Sequence, residues 1–262
     1  MMRQRSLQWL ALVVLGLSAA PLCIAADFTA DQVRSMLADA DRLESVDLSG
    51  KDLSDLDLSN IDFKRADLSR ANLFASRLVS SNLSGAKLRQ ANLNGVWLMG
   101  TNLSGADLSG SSMLSLVILG GPIKEKPNLA GANLAGVRMI ADLAGADLRG
   151  ADLRRANLGV DMKNQGMGQM RMDLSGANLA RANLEDANLS RSLMTFADLK
   201  GANLARANLY RANLSGADLT GADVTGANFA EADLDGTILK NAGGIGAATG
   251  MDTAVNRDRA IY

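Results

Sequence analysis

Ala66-Asp67-Leu68-Ser69-Arg70 is followed directly by Ala71-Asn72-Leu73, and the same unit starts earlier, in Asp47-Leu48-Ser49, Asp52-Leu53-Ser54 and Asp57-Leu58-Ser59. A period of five residues predicts a repeat architecture, because one short unit can bury its apolar side only by stacking on its neighbours. Alanine and leucine lie two residues apart, so both face one side of an extended segment while the Asp or Asn between them faces the other. The last two residues of each unit suit a corner.

The pattern A-[D/N]-L-x-x continues through most of the chain and resembles the pentapeptide repeat family. That resemblance implies an all-β solenoid, a right-handed quadrilateral β-helix in which four units form one coil. Leucine or phenylalanine and the small residue would fill its interior. The central residues keep their register in three blocks, Leu48 to Ile118, Leu129 to Leu158 and Leu174 to Leu239. Together these blocks predict about nine coils, a rod of roughly 43 Å at the usual spacing between strands.

The segments outside the repeat blocks predict the remaining organisation. Residues 27–46 are expected to form a short N-terminal capping helix, because Thr29 and Gln32 make a capping-box pattern and apolar residues recur at helical spacing up to Leu43. The β-helix is expected over 47–240, with loops near 119–128 and 159–173 and a one-residue slip near Met139 to Leu143. Residues 241–262 lose the repeat and read either as a C-terminal cap or as a loose tail.

Residues 1–26 have the order of a secretory signal peptide. Arg3 and Arg5 precede an apolar run from Leu7 to Ala20, and small residues lead to a cleavage site near Ala26 or Ala25. A lipidated Cys23 and an uncleaved membrane anchor are the alternatives, but Pro21 and the shortness of the run disfavour an anchor. We therefore expect a periplasmic or secreted protein that has no membrane attachment once the signal is cleaved.

Composition argues against an enzyme. The chain has no histidine, and Cys23, its one cysteine, lies in the signal segment. No glycine-rich phosphate loop and no zinc-ligand spacing occur, so we expect no catalytic residues and no cofactor. The net charge is −1, and loss of Arg3 and Arg5 takes it to about −3. A nearly neutral chain does not have the basic surface that nucleic-acid binding requires.

An apolar stripe emerges when the repeats are stacked four units to a coil. Arg77, Trp97 and Val117 then form one outward column, and Val79, Met99 and Leu119 form the column beside it. An exposed apolar patch with a Trp and a neighbouring Arg is typical of a protein-binding hot spot, and Arg77 could lie over the Trp97 ring. The alternative is that the loop starting at Gly120 covers the stripe and makes it a satellite core.

A second candidate is the methionine-rich loop, which contains Met162, Met167, Met170 and Met172. Thioether sulfur selects Cu(I), so this loop supports a metal-binding hypothesis. Methionine also fills irregular gaps between mismatched coils, which is the structural alternative. Arginines in the later repeats, among them Arg191 and Arg211 stacked below Glu231, are expected at solvated corners.

Taken together, the sequence predicts an exported, non-enzymatic scaffold that presents the apolar stripe and the loops to an unknown protein partner. Homodimers formed by end-to-end stacking are a further expectation, because the ends of a solenoid are bare sheet edges. Cu(I) binding is the alternative function. Some pentapeptide repeat proteins mimic DNA and protect DNA gyrase, but that role requires an acidic surface and a cytoplasmic location, so it is a remote alternative here.

Overall fold

The fold is a four-sided stack of short strands. The computed structural model describes residues 26–39, 45–114, 116, 125–160 and 171–262. In the regular blocks, parallel backbone bridges join each outward residue to its counterpart four repeats later, and four successive bridges start at Asp47, Asp52, Asp57 and Asp62. One coil therefore has four sides of one repeat each. We call these sides faces one to four, in the order of those four residues.

The interior is built from the two apolar positions of each repeat. Leu68, Ala71 and Leu73 are buried to within 1% of their surface, and the same holds for nearly every equivalent Ala and Leu. Phe63 and Phe229 replace leucine at two central positions and are also buried. Small and large residues alternate along each strand, so the coils pack without aromatic layers, as the sequence pattern predicts.

Each corner is a tight turn closed by the backbone. At the first corner the Lys51 N–H donates to the Leu48 carbonyl over 3.3 Å, and Gly50 has φ +65°. Positive φ at the third residue alone is typical of a type II turn. The outward carboxylate supports the turn, because the Asp67 Oδ1 accepts a hydrogen bond from the Ser69 N–H at 3.0 Å. Asn makes the same contact, which explains why either Asp or Asn occurs at this position.

In the part of the chain that the structure describes, two segments are long enough to count as strands. β1 spans Ser112–Leu114 and β2 spans Arg138–Ile140, and they pair in parallel with Met113 opposite Met139. More chain lies between these two strands than between the partners of a regular bridge, so the coil they close contains an insertion. On face four Asn128 then pairs with Asp147, which closes a shortened coil, and Asp147 pairs with Asn178, which closes a second lengthened one. The stack therefore absorbs two insertions and one deletion without losing its interior.

A helix lies at the N-terminal end of the stack. α1 spans Ala30–Asp39, and its buried side chain Val33 belongs to the core. Thr29 and Gln32 make both capping-box hydrogen bonds, at 2.7 and 3.3 Å. Asp27 joins the first coil through two hydrogen bonds with Asp52. Residues 40–44, which include the predicted end of the helix, lie outside the described residues.

The last residues continue the stack as a wider turn. Gly243, Thr249, Val255 and Ile261 bridge to the coil below, and successive members of this series lie one residue further apart than in the regular repeats. The extra residues enter the corners, two of which are 3₁₀ turns at Ile245–Ala247 and Arg257–Arg259. Residues 241–262, for which the sequence predicts either a cap or a loose tail, thus form an ordered final coil. Within the described chain, no helix is long and apolar enough to cross a bilayer.

Candidate functional site

The four faces differ in what they present outward. Each face has one column of residues between the two buried positions of its strands. The columns of faces one and two are polar wherever the repeats are regular, and face four is polar up to Asp218 before Ile238 and Ile261. Face three is interrupted twice in its middle, by Trp97 and by Leu193. Its described column consists of Asp57, Arg77, Trp97, Asp142, Asp173, Leu193, Asn213, Asp233 and Val255.

Trp97 is stacked above a charged residue of the preceding coil. The Arg77 guanidinium carbon lies 4.8 Å from the centroid of the Trp97 ring, within the range of a cation–π contact. The Arg77 Nε lies 4.0 Å from the Asp57 carboxylate on the other side. Trp97 is half-buried, and the Arg77 side chain is 49% exposed. The predicted pair of Arg77 and Trp97 is therefore brought together by one turn of the coil.

The second column of the predicted stripe is not exposed. Val79 and Met99 are only 7% and 2% exposed, so the expectation of an open apolar surface is wrong for these two residues. Their equivalents in other coils, such as Ser59 and Ser175, are half-buried. Burial of Val79 and Met99 is what the satellite-core alternative requires at these positions.

The predicted stacking beyond Met99 also needs correction. The Gly100 N–H donates to the Glu125 carbonyl at 2.8 Å, which is the same bond that the Ser80 N–H makes with Met99. Glu125, not Leu119, therefore holds the position next to Met99 in this column. The first interruption ends before Glu125 and not at 128. Val117, Leu119 and the rest of 117–124 lie outside the described residues.

A second group of exposed side chains on face three was missed by the sequence reasoning. Phe196 is 75% exposed at a corner with φ +57°, where most of the described coils carry Gly. Leu193 lies half-buried three residues before it, in the outward column. A bulky exposed ring in the left-handed region is costly, which makes it noteworthy. We call Leu193 and Phe196 the second anchor, and Trp97 the first anchor.

The corner before the second anchor carries a stacked charged group. The Tyr210 ring lies between Arg191 and Arg211, whose guanidinium carbons are 5.9 and 5.0 Å from its centroid. Glu231 accepts hydrogen bonds from Arg211 at 2.6 Å and from the Tyr210 hydroxyl at 3.0 Å. These bonds lower the pKa of Glu231, the Arg211 bond most. Stacking of Arg191, Arg211 and Glu231 agrees with the sequence expectation.

All three changes of register fall between a described residue of face two and the next described residue of face three. Asn92 still pairs with Ser112 at the regular interval, so the first insertion lies between Leu114 and Glu125. Arg138 and Asp142 are the face-two and face-three residues of the shortened coil. Asn157 of face two and Asp173 of face three flank the second insertion. Within the described residues between 45 and 242, every change of register therefore lies between face two and face three.

The methionine-rich loop lies mostly outside the described part of the chain. Met162, Met167 and Met170 belong to 161–170, and only Met172 is described. Met172 is fully buried and belongs to the hydrophobic core. Its side chain fills the interior of the coil that follows the second insertion. This is the gap-filling role, and it separates Met172 from any ligand set formed by the loop.

Arginine and carboxylate side chains pair along the corner between faces one and two. Arg154 makes a bidentate contact with Asp152, and this hydrogen bonding lowers the pKa of the Asp152 carboxyl. Arg206 bonds to Asp186 at 2.8 Å and also contacts Glu185, which raises the pKa of Arg206. A shallow depression of about 370 Å³ lies among these side chains. Because most of its charges are paired, the depression offers neither a strongly basic nor a strongly acidic site.

The repeat geometry agrees with a comparison against known families. The profile described as pentapeptide repeats matches in eight copies, over residues 42–78, 76–113, 127–159, 173–209 and 207–242. The chain belongs to the pentapeptide repeat family. Pentapeptide repeat proteins fold as right-handed quadrilateral β-helices, and they are generally non-enzymatic scaffold proteins. The four faces described above are the sides of that helix.

Solved structures of pentapeptide repeat proteins resemble this chain. HetL, a pentapeptide repeat protein involved in heterocyst differentiation regulation in the cyanobacterium Nostoc sp. strain PCC 7120, is 31% identical, with a TM-score of 0.51. The match covers 88% of this chain and 92% of HetL. A trypsin-treated form of QnrB1, a plasmid-mediated fluoroquinolone resistance protein, is 20% identical over 76% of this chain and 85% of QnrB1, with a TM-score of 0.45. No curated protein matches the chain.

Proposed function

We propose that this pentapeptide repeat protein is an exported, non-enzymatic scaffold that binds a protein partner through face three. One observation carries the proposal. In its regular repeats the chain keeps a polar outward column on faces one and two. Trp97 and Leu193 lie on face three, and the register changes that the described residues show lie between face two and face three. A rigid stack that departs from its repeat along one side has a distinct surface on that side, and such surfaces mark interaction sites.

The chemistry of face three supports binding and not catalysis. Its aromatic and arginine side chains are those that dominate protein-binding hot spots. The outward carboxylates, which an enzyme could use as acids or bases, support turns or pair with cations, as Asp52 does with Ser54 and Asp152 with Arg154. The outward columns mix Asn, Lys and Arg with Asp, so they do not present the acidic surface of a DNA mimic.

The binding proposal is tested by site-specific photo-crosslinking in cells of the source organism. A photoreactive phenylalanine analogue replaces Trp97 in one variant and Asn203, an outward residue of face one, in the control. We expect one protein species to crosslink through position 97 and not through position 203. The crosslink should be lost when Arg77→Asp is added at the edge of the first anchor. Equal crosslinking from both positions would overturn the assignment of face three.

Export is a separate part of the proposal and rests on residues 1–26. Asp27, the first residue after the favoured cleavage site, bonds to Asp52 at the end of the stack, so a chain that starts there keeps this contact. N-terminal sequencing of the protein purified from its source should begin at Asp27 or Ala26. A chain that retains Met1 after purification from the cytoplasm would contradict export.

The two ends of the rod are proposed to differ in function. We propose that α1 caps the N-terminal end, since Val33 is buried in the core. At the other end Val255, Ile261 and Tyr262 are 48%, 44% and 54% exposed, and a bare β edge with apolar side chains allows end-to-end stacking of two copies. Ile261→Asp should abolish such stacking in sedimentation experiments, whereas Lys240→Asp on the preceding coil should not.

A further inference from the structure

The two anchors lie at matched positions on face three. Trp97 and Leu193 occupy the same outward column. One repeat after Trp97 comes Asn102 of face four, and one repeat after Leu193 comes Asp198 of the same face. Those two face-four residues are joined by four successive bridges, through Asn128, Asp147 and Asn178. Trp97 and Leu193 are therefore four coils apart, roughly 19 Å along the rod at the usual spacing between strands. Asp142 lies in the coil midway between them, since it is two bridges before Leu193.

This arrangement is self-complementary. Consider a twofold axis that lies on face three, parallel to the strand that contains Asp142. Rotation about this axis places a second copy antiparallel to the first, with the face three of each copy in contact. Positions an equal number of coils from Asp142 then meet. Trp97 of one copy comes opposite Leu193 of the other, and each contact occurs twice, as in any isologous interface.

The surroundings of Phe196 and of Asp142 fit this pairing. Corner residues meet corner residues, so Phe196 of one copy comes opposite Gly100 of the other, where no side chain occupies the space. Phe196 already packs against a glycine corner in its own chain, since a Cβ at Gly216 would lie 2.5 Å from its ring. At the centre, Asp142 meets its own counterpart, and Lys126, 3.4 Å away, offsets the charge of each carboxylate.

We propose that the partner of face three is a second copy of this chain, in an antiparallel twofold dimer built on Trp97, Leu193 and Phe196. This inference rests on the proposed function, because it names the partner for the same face. One side of a coil is roughly 16 Å wide, and eight coils from Asp57 to Asp233 have a described outward residue on this face and are each roughly 4.8 Å high, so each copy would bury about 600 Å². The total of about 1,200 Å² lies at the lower limit of stable protein interfaces, and the dimer is reversible.

The register of the dimer is tested by engineered disulfides that keep the side chains of Trp97, Leu193 and Phe196. Arg77 and Asn213 lie three coils on either side of Asp142 and would face each other across the interface. In a Cys23→Ser background, Arg77→Cys with Asn213→Cys should give a covalent dimer under mild oxidation. Either single variant should not, because position 77 meets position 213 and not itself. Arg77→Cys with Asn203→Cys, which places the second thiol on face one, is the matched control.

Sedimentation in an Ile261→Asp background, which removes the proposed end-to-end stacking, completes the test. We expect a monomer–dimer equilibrium that Leu193→Asn shifts at least tenfold toward monomer, while Ile238→Asn, the same kind of change on face four, leaves it unaltered. Monomers at every concentration would overturn the dimer, yet crosslinking of another protein through position 97 would still support the proposed function. A dimer whose disulfides form equally in the single variants and the control would also overturn this arrangement.

Discussion

Arg77 and Trp97 belong to neighbouring coils, and the guanidinium of Arg77 lies 4.8 Å from the centre of the Trp97 ring. The contact exists because one turn of the coil separates the two residues and their backbones are bridged directly. Asp57 continues the same column below Arg77. Carboxylate, guanidinium and indole thus form a fixed stack on face three, and this stack gives the first anchor a defined orientation.

Removing the cation should loosen Trp97. Arg77→Ala is expected to lower the free energy of unfolding by about 0.5–1 kcal/mol, the usual worth of an exposed cation–π contact. In a chain with Trp9→Phe, where Trp97 is the one remaining tryptophan, acrylamide should quench its emission more strongly after this change. Arg138→Ala, which removes an exposed outward arginine on face two, serves as the control. Unchanged quenching would show that Arg77 does not cover the ring.

A methyl group at Gly216 should displace the Phe196 ring. The added Cβ would lie 2.5 Å from two ring atoms, and an alanine at φ +68° costs roughly 1–2 kcal/mol by itself. Gly221→Ala has nearly the same φ, +67°, but open space around its Cβ. We expect Gly216→Ala to be the more destabilising of the two in thermal unfolding. In a Phe196→Ala background the two costs should become equal; a difference that persists would place the strain elsewhere.

Acid should weaken the stack through its outward carboxylates. Hydrogen bonds from the Ser54 hydroxyl and backbone lower the pKa of Asp52, and those from Arg154 lower the pKa of Asp152. A folded pKa below the unfolded value, about 3.9, adds stability at neutral pH that is lost as the pH falls through the folded pKa. Tm should therefore decline below about pH 4.

Amide variants separate this titration from the turn itself. Asn keeps the acceptor that supports the corner, as Asn72 does for the Phe74 N–H. The double variant Asp52→Asn, Asp152→Asn should have a shallower decline of Tm as the pH is lowered than the natural chain. Asp55→Asn, at an exposed corner, is the control. An unchanged decline in the double variant would mean that other groups govern acid stability.

Removing the N-cap should destabilise α1. The Thr29 hydroxyl accepts the hydrogen bond from the Gln32 N–H, and loss of such a cap typically costs about 1 kcal/mol. Thr29→Ala should lower the free energy of unfolding by this amount, and Thr195→Ala at a corner should have a smaller effect. Hydrogen exchange at Val33 should accelerate in Thr29→Ala. Equal exchange in both variants would contradict a role for the cap.

The regular part of the fold could be predicted because each residue has one task. Leu68 and Ala71 are apolar and buried, and Asp67 is polar and supports a turn. Any coil repeats these tasks, so the period alone assigns interior and surface. The capping box at Thr29 is equally local, since both of its partners lie within one turn of helix.

The surface around Met99 could not be predicted in the same way. Stacking by a fixed coil length fails once an insertion changes that length, and nothing in the sequence states where between Leu114 and Glu125 the extra residues lie. The burial of Val79 and Met99 depends on contacts outside the repeat, which the period does not encode. By contrast, the second anchor could have been predicted from the sequence. In a regular block, Leu193 stands where the repeat has Asp or Asn, and Phe196 stands where this corner usually has Gly.

The central claim is that face three is an interaction surface, and Trp97 reports on it most directly. In the Trp9→Phe chain, emission and acrylamide quenching are recorded over a thousandfold range of protein concentration, with mass followed by light scattering. We predict an accessible Trp97 in the dilute monomer that becomes protected as the mass doubles. A Trp97 that stays shielded in a monomer at every dilution would contradict the claim, because the first anchor would then be an internal contact.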